Sequence, residues 1–198
     1  MCYFGVTLCQ DGVLLQVNYR RYTFDAPFGA IAENLVNTLD ESIAVPEHLA
    51  TPADLAKFLQ MHDIEWPRKP DARDLEEVRA LRARVRELFV AETQTEAEKP
   101  LNELLADLRI DMRVMRERGT PRIAWSVDSS VSLSEALRSA VAVSAAHLVR
   151  EFGYERLRAC GANPCADVFL DASKRGGQKF CGPRCATRVR VAAHRARQ

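Results

Sequence analysis

The chain of 198 residues is 47% hydrophobic and 28% charged, which is the composition of a soluble globular protein. It has no run of eighteen or more apolar residues, so the sequence argues against a membrane-spanning helix. An early apolar run, Tyr3 to Leu8, lacks a basic flank and a small-residue cleavage site. We therefore expect a cytoplasmic chain without a secretory signal.

Charge is divided unevenly along the chain. From Arg150 onward there are eleven Lys or Arg against four Asp or Glu, whereas the first 149 residues have seventeen against twenty-three. No acidic residue follows Asp171. The net charge of +1 therefore hides an acidic body and a basic C-terminal segment.

The first predicted elements are a hairpin and a helix. Phe4 to Leu8 and Val13 to Val17 flank Asp11-Gly12, a dipeptide suited to a tight turn between two strands. The segment from Ala30 to Leu39 is predicted to be helical, because its apolar residues have helical spacing: Ile31, Leu35, Val36 and Leu39.

Three more helices are predicted, two from their starting residues and one from its apolar stripe. Thr51-Pro52 supplies an N-cap followed by proline and opens a helix to residue 61. A long amphipathic stripe indicates a helix over 71–91. Thr95, with Glu98 three residues later, resembles a capping box and predicts a helix to residue 108.

The rest of the body is predicted to be an antiparallel strand pair and a buried helix. Two short runs, 110–115 and 123–127, surround a Gly/Pro turn. Ser132 or Ser134 then caps an apolar helix that ends at Gly153. We therefore predict an α+β fold, with a mostly helical α/β body over residues 1–152 and a small second module over 153–198.

Four of the six cysteines lie in the second module, at Cys160, Cys165, Cys181 and Cys185. They form two short-range pairs, and clustered pairs in a cytosolic chain indicate a metal before disulfides or unrelated thiols. Zinc favours four thiolates at the corners of a tetrahedron. We predict one structural Zn²⁺ with no open position for water, and we expect Cys2 and Cys9 to be small buried residues.

The segments around the cysteines predict a treble-clef-like zinc fold. Each pair encloses a Gly and a Pro that suit a tight turn. The residues between the pairs suggest two short strands, Val168 to Leu170 and Gln178 to Phe180. After Pro183 the chain has neither Gly nor Pro and favours a helix that carries the last ligand in its first turn.

The second module resembles the CGNR-type zinc finger, on the stretch from Leu157 through Cys165, on Phe169 to Ser173, and on Cys181 to Arg188. The segment Ala30 to Asp40 looks like the opening of the ABATE domain. Together they resemble bacterial proteins described as stress-induced transcription regulators. The resemblance implies a DNA-binding protein whose body senses an effector or forms a homodimer.

The sequence departs from the zinc-finger motif at two places. The tetrapeptide Cys-Gly-Asn-Arg that names the finger is Cys185-Ala186-Thr187-Arg188 in this chain, and the tryptophan usual before the third cysteine is Phe180. All four predicted ligands and the arginine are retained. Metal binding is therefore expected.

The basic segment predicts a surface for nucleic acid. Arginine suits phosphates and guanine edges, and no aromatic residues alternate with the charges, which favours duplex DNA over single strands. On a helical wheel the opposite side of the last helix is apolar and is expected to pack on the hairpin; it consists of Ala186, Val189, Ala192, Ala193 and Ala196. The predicted nucleic-acid contacts are Lys174, Arg175, Lys179, Arg184, Arg188, Arg190, Arg195 and Arg197.

Two alternatives remain at this stage. The arginines could offset the negative charge of a four-thiolate zinc site, or they could contact an acidic protein, so that the module is a structural adaptor. The body shows no glycine-rich phosphate loop and no nucleophile elbow, so we expect no enzyme. Asn34 and Asn37 are polar residues in an apolar helix, which could line a small-molecule pocket or bond to backbone.

Overall fold

The computed structural model describes residues 12–15, 30–40, 46–62, 64, 66–108, 110–117, 120–128 and 130–197. They form an α+β fold whose helices are α1 (Ala30–Val36), α2 (Pro52–Met61), α3 (Ala72–Val90), α4 (Gln94–Leu105), α5 (Leu133–Phe152) and α6 (Pro183–Arg195). The strands are β1 (Gly12–Leu15), β2 (Ile110–Glu117), β3 (Thr120–Asp128), β4 (Leu157–Ala159) and β5 (Val168–Leu170). No helix in these ranges is long and apolar enough to cross a bilayer.

Side-chain caps set the starts of the body helices. Thr51, Asp71 and Ser132 each accept a hydrogen bond from the third residue of the helix that follows, and each helix returns a carboxylate to the cap. These capping boxes confirm the predicted starts of α2, α3 and α5. Gly153 ends α5 with φ of 83°, a conformation that favours glycine.

Helix α4 begins two residues before its predicted start. Thr93 is the N-cap, because its hydroxyl accepts from the backbone N–H of Glu96 at 3.3 Å. Thr95 lies inside the first turn. The helix ends at Leu105 instead of residue 108, and Asp107 follows with φ of 53°.

The larger sheet is antiparallel in the order β1-β3-β2. Strands β2 and β3 form the predicted pair, with Glu117 opposite Thr120. Strand β1 overlaps the predicted second strand of the N-terminal hairpin and begins at Gly12 of its predicted turn, but β1 pairs with β3, with Leu15 opposite Trp125. The other half, Phe4 to Leu8, and both Cys2 and Cys9 lie outside the described residues.

A single hydrophobic cluster joins the body to the C-terminal module. It includes buried side chains of α1 to α5 and also three from the two short strands near the cysteines: Leu157, Val168 and Leu170. Helix α5 has buried residues on several of its sides, as its apolar composition predicts. The C-terminal module is therefore packed on the body through a shared core.

Candidate metal centre and basic helix

The first cysteine pair lies in the loop of a short hairpin. Strands β4 and β5 are antiparallel, with Leu157 opposite Leu170 and Ala159 opposite Val168. The loop is closed by the N–H of Cys160, which donates to the carbonyl of Asp167 at 2.8 Å. Of the two strands predicted between the cysteine pairs, Val168 to Leu170 is confirmed as β5, whereas the prediction of a strand over Gln178 to Phe180 is wrong.

The segment 178–180 is held by individual hydrogen bonds instead of a ladder. The N–H of Gly161 donates to the carbonyl of Lys179 at 2.9 Å, and the side chain of Gln178 donates to the carbonyl of Phe180. Strand β4 pairs with β5 in place of this segment, because β4 leads directly into the loop with the first cysteine pair. Residues 171–182 therefore form a connection from the hairpin to α6.

Asp171, which is fully buried, organises that connection. Its carboxylate accepts from the N–H and the hydroxyl of Ser173 and from the N–H of Gln178, at 2.5–3.0 Å. The Arg156 guanidinium donates to the carbonyls of Asp171 and Ser173. It also lies so close to Gly176, where φ is 65°, that a side chain there would clash. The Asp-x-Ser spacing is a turn signal that could have identified this role.

Burial alone would raise the pKa of Asp171, but the hydrogen bonds from Ser173 and Gln178 and the charge of Arg156 bring the pKa below its usual value. Asp171→Asn is expected to lower the free energy of unfolding at pH 7 by about 1.5–3 kcal/mol, because a charged acceptor is lost. A lowered folded pKa stabilises the chain above about pH 4, and this stabilisation is lost as the pH falls through that pKa. The difference in the free energy of unfolding between the variant and the unmodified chain should therefore be smaller in acid.

Urea unfolding of both proteins at pH 7 and pH 3.5 measures this deficit, and comparison at the same pH cancels any acid loss of metal. Asp107→Asn is the control, since Asp107 is exposed and tolerates the exchange at positive φ. An equal deficit at both pH values would contradict the role of the Asp171 charge.

The four predicted ligands converge on one point. The Sγ atoms of Cys160, Cys165, Cys181 and Cys185 all lie within 4.8 Å of one another. Cys181 Sγ lies 3.7 Å from Cys165 Sγ and 3.6 Å from Cys185 Sγ. A tetrahedron with Zn–S bonds of about 2.3 Å has S···S edges of about 3.8 Å. The donor set and its spacing therefore fit one structural Zn²⁺.

The surroundings of the four sulfur atoms also favour a bound cation. Burial raises the pKa of Cys165 to about 12, and burial together with the Asp167 carboxylate raises that of Cys181 still further. Burial also acts to raise the pKa of Cys160, but the N–H groups of Cys181 and Ala162 lower it overall. Four thiolates at this spacing repel one another, and a divalent ion removes that repulsion.

Helix α6 supplies the last ligand and one neighbouring charge. Cys185 lies in its first turn and is the buried side chain of the helix. Arg188, one turn later, donates to the carbonyl of Ala162 at 2.9 Å and to Cys185 Sγ at 3.5 Å. This residue therefore joins α6 to the first cysteine loop and offsets thiolate charge, a role that its spacing alone did not indicate.

The outer edge of β5 is bound by side chains of the body. The amide of Asn37 donates to the carbonyl of Val168 at 2.9 Å and accepts from its N–H at 2.8 Å. Glu33 accepts from the N–H of Leu170 at 3.2 Å, and burial raises the pKa of this carboxyl. Arg86 of α3 donates to the carbonyl of Ala166 at 2.7 Å. These bonds substitute for a neighbouring strand.

Of the two roles predicted for Asn34 and Asn37, a small-molecule pocket or bonds to backbone, Asn37 has the second. Both polar atoms of the Asn37 amide are occupied by Val168, 131 residues away, and Asn34 is exposed. Asn34 lies in the last turn of α1 and Asn37 directly follows its end, and the two amides have different surroundings. Asn37 therefore belongs to the contact between the body and the cysteine module, which only tertiary packing could reveal.

Asn37→Ala is expected to lower the free energy of unfolding by about 1–3 kcal/mol, because it leaves a buried N–H and a buried carbonyl of β5 without partners. Asn34→Ala, in the neighbouring turn, is the control and should change it by about 0.5 kcal/mol or less. Urea unfolding monitored by circular dichroism measures both. Equal effects of the two substitutions would contradict the assigned role of Asn37.

The basic residues that follow Asp171 all face solvent, and they are Lys174, Arg175, Lys179, Arg184, Arg188, Arg190, Arg195 and Arg197. Apart from Arg188, none of them forms a side-chain hydrogen bond or ion pair with the part of the chain that the structure describes. Arg156 and Arg158 differ, because both turn inward to the connection around Asp171. The exposed side chains are thus not held against the acidic body.

The apolar side of α6 does not pack as predicted. Ala186 and Val189 are half-buried, but Ala192, Ala193 and Ala196 are exposed. The hairpin is too short to reach them, because its strands have three residues each. The last two turns of α6 therefore project beyond the module.

Comparison with known families agrees with this architecture. The family model described as "CGNR zinc finger" matches residues 156–198, and the ABATE model, described as "Putative stress-induced transcription regulator", matches residues 29–151. A search of curated proteins found no match. The four clustered cysteines are those of the finger, and its zinc is structural. The ABATE match covers more than half of the chain, and the chain therefore belongs to the ABATE family, with a CGNR zinc finger at its C-terminal end.

Proposed function

We propose that this protein is a transcription regulator that binds duplex DNA through the exposed basic residues of its zinc finger. The observation that carries the proposal is that seven of the eight basic side chains after Asp171 are exposed and unpaired among the described residues. Their charge exceeds what the metal site needs, because one zinc and four thiolates leave a net charge of −2.

The geometry supports two different roles for the arginines of the finger. Arg188 faces Cys185 and contributes to offsetting the thiolates, whereas Arg184 and Arg195 project from the same helix without a described partner. Phosphates are the ligands that exposed arginines and lysines bind best when no carboxylate competes. The zinc itself takes no part in chemistry, since four thiolates leave no position for water.

Salt dependence of duplex binding tests the proposal. The full chain, loaded with one zinc, is titrated into a fluorescently labelled duplex of about 20 base pairs at 50–200 mM KCl. Each phosphate contact contributes about −0.9 to the slope of log K against log salt, so about five contacts predict a loss of affinity of several hundredfold over this range.

The outcome against the proposal is also defined. No duplex binding at 50 mM salt, or binding that is independent of salt, contradicts it. Retention of an acidic protein by the finger, without any duplex binding, supports the adaptor alternative instead.

A further inference from the structure

Helix α6 has a face opposite its buried side. Cys185 marks the direction of the finger, and at about 100° per residue four later side chains of the helix point about 120–180° away from it. They are Thr187, Arg190, Val191 and His194. Their spacing of i, i+3, i+4 and i+7 places them in one continuous stripe, which we call the outer stripe.

The composition of the outer stripe differs from that of a face that only meets water or phosphate. Val191 is 42% exposed although it is apolar, and it lies between charged and polar neighbours. Thr187, whose hydroxyl can donate and accept hydrogen bonds, is exposed, and so is His194. A face with a methyl-bearing residue, hydrogen-bonding residues and one arginine has the chemistry that reads base edges in the major groove.

Size and charge are consistent with insertion into that groove. The 13 residues of α6 span about 20 Å, and the major groove is about 12 Å wide, which admits one helix. Alanines at 192, 193 and 196 keep the projecting part narrow. Arg184, Arg188 and Arg195 lie on one flank of the stripe, where the phosphates of a groove wall would be.

Resting on the proposed function, we infer that the outer stripe determines sequence specificity: Arg190 contacts guanine O6 and N7, and Val191 contacts a thymine methyl group. The flanking arginines supply affinity that is independent of sequence. The occupant of this helix face is therefore duplex DNA with a short G- and T-containing site.

The test begins with selection of a preferred site from random-sequence duplexes by the zinc-loaded full chain. The specificity ratio is then measured as the affinity for that site over the affinity for a scrambled duplex. Arg190→Lys keeps the charge but loses the two-pronged contact with guanine, so the ratio should fall about five- to hundredfold while the salt slope is retained. Val191→Ala should lower the ratio on duplexes with the selected thymine but not with uracil, which lacks the methyl group.

Two comparison variants separate base reading from phosphate binding. Arg184→Ala should lower the affinity for both duplexes alike and leave the ratio unchanged, and Arg84→Ala on the body should change neither affinity. Retention of one zinc per chain shows that each variant is folded. Selection without a consensus, or an unchanged ratio in Arg190→Lys, overturns the inference while DNA binding stands, and absence of duplex binding overturns both.

Discussion

Removal of the zinc is expected to destabilise the whole chain, not only the finger. Buried Leu157, Val168 and Leu170 of the finger belong to the same hydrophobic cluster as the body helices, and Asn37 and Arg86 bind the finger backbone. Loss of the metal removes the four Zn–S bonds that hold the two cysteine pairs together, so the finger loosens and the body loses the surface it packs against.

The expected shift in melting temperature is large. Zinc at 1,000 times its Kd stabilises the chain by about 4 kcal/mol, and 1 kcal/mol corresponds to about 2–4 °C for a chain of this size. Addition of a zinc chelator should therefore lower the melting temperature by about 8–16 °C, and added zinc should restore it. Both tryptophans, Trp66 and Trp125, precede the finger, so their fluorescence reports on the body alone.

Cysteine substitutions provide the matched comparison. Cys181→Ser should abolish stoichiometric zinc binding and reproduce the shift caused by the chelator. Cys9→Ser, which leaves all four predicted ligands in place, should retain one zinc per chain. If chelation removes the zinc and the transition seen by tryptophan fluorescence stays in place, the finger and the body are energetically independent, contrary to the shared core.

Replacement of Arg184, Arg195 and Arg197 together by alanine is expected to cause the largest loss of duplex affinity. Each contributes about 0.9 to the salt slope, so the slope should fall by about 2.7. At 100 mM salt, relative to a 1 M reference, three such contacts amount to a loss of affinity on the order of 10²-fold. Arg188 is left intact because it also binds Ala162 and Cys185.

The control is a triple substitution that makes the same change of net charge on the body: Lys69→Ala, Arg84→Ala and Lys99→Ala. All three residues are exposed. Anisotropy titrations over 50–200 mM KCl compare both variants with the unmodified chain. Equal losses in the two triple variants would mean that net charge, and not the finger surface, governs binding.

Local signals in the sequence determined most of the elements. Thr51 could be identified as a cap, and Ser132 as one of two candidates, because such side chains satisfy the free N–H groups of the following turn, an interaction that spans only three residues. The apolar stripe placed the start of α3 at Asp71, which is its N-cap. The zinc ligands could be predicted for the same reason, since the spacing within each cysteine pair is itself the signal. The cap of α4 is Thr93 and not the predicted Thr95. The local signal could not distinguish them, because both are threonines within one turn.

Only the tertiary structure determined which residues contact the edges of the strands and the faces of the helices. Strand β5 pairs with β4 on one side and with Asn37 on the other, although Asn37 is 131 residues away in sequence and its amide looked equally suited to a pocket. Helix α6 is amphipathic, but whether its alanines are covered depends on the length of the hairpin beside it. A sequence pattern specifies which side chains share a face, and only the packing of distant segments specifies what that face meets.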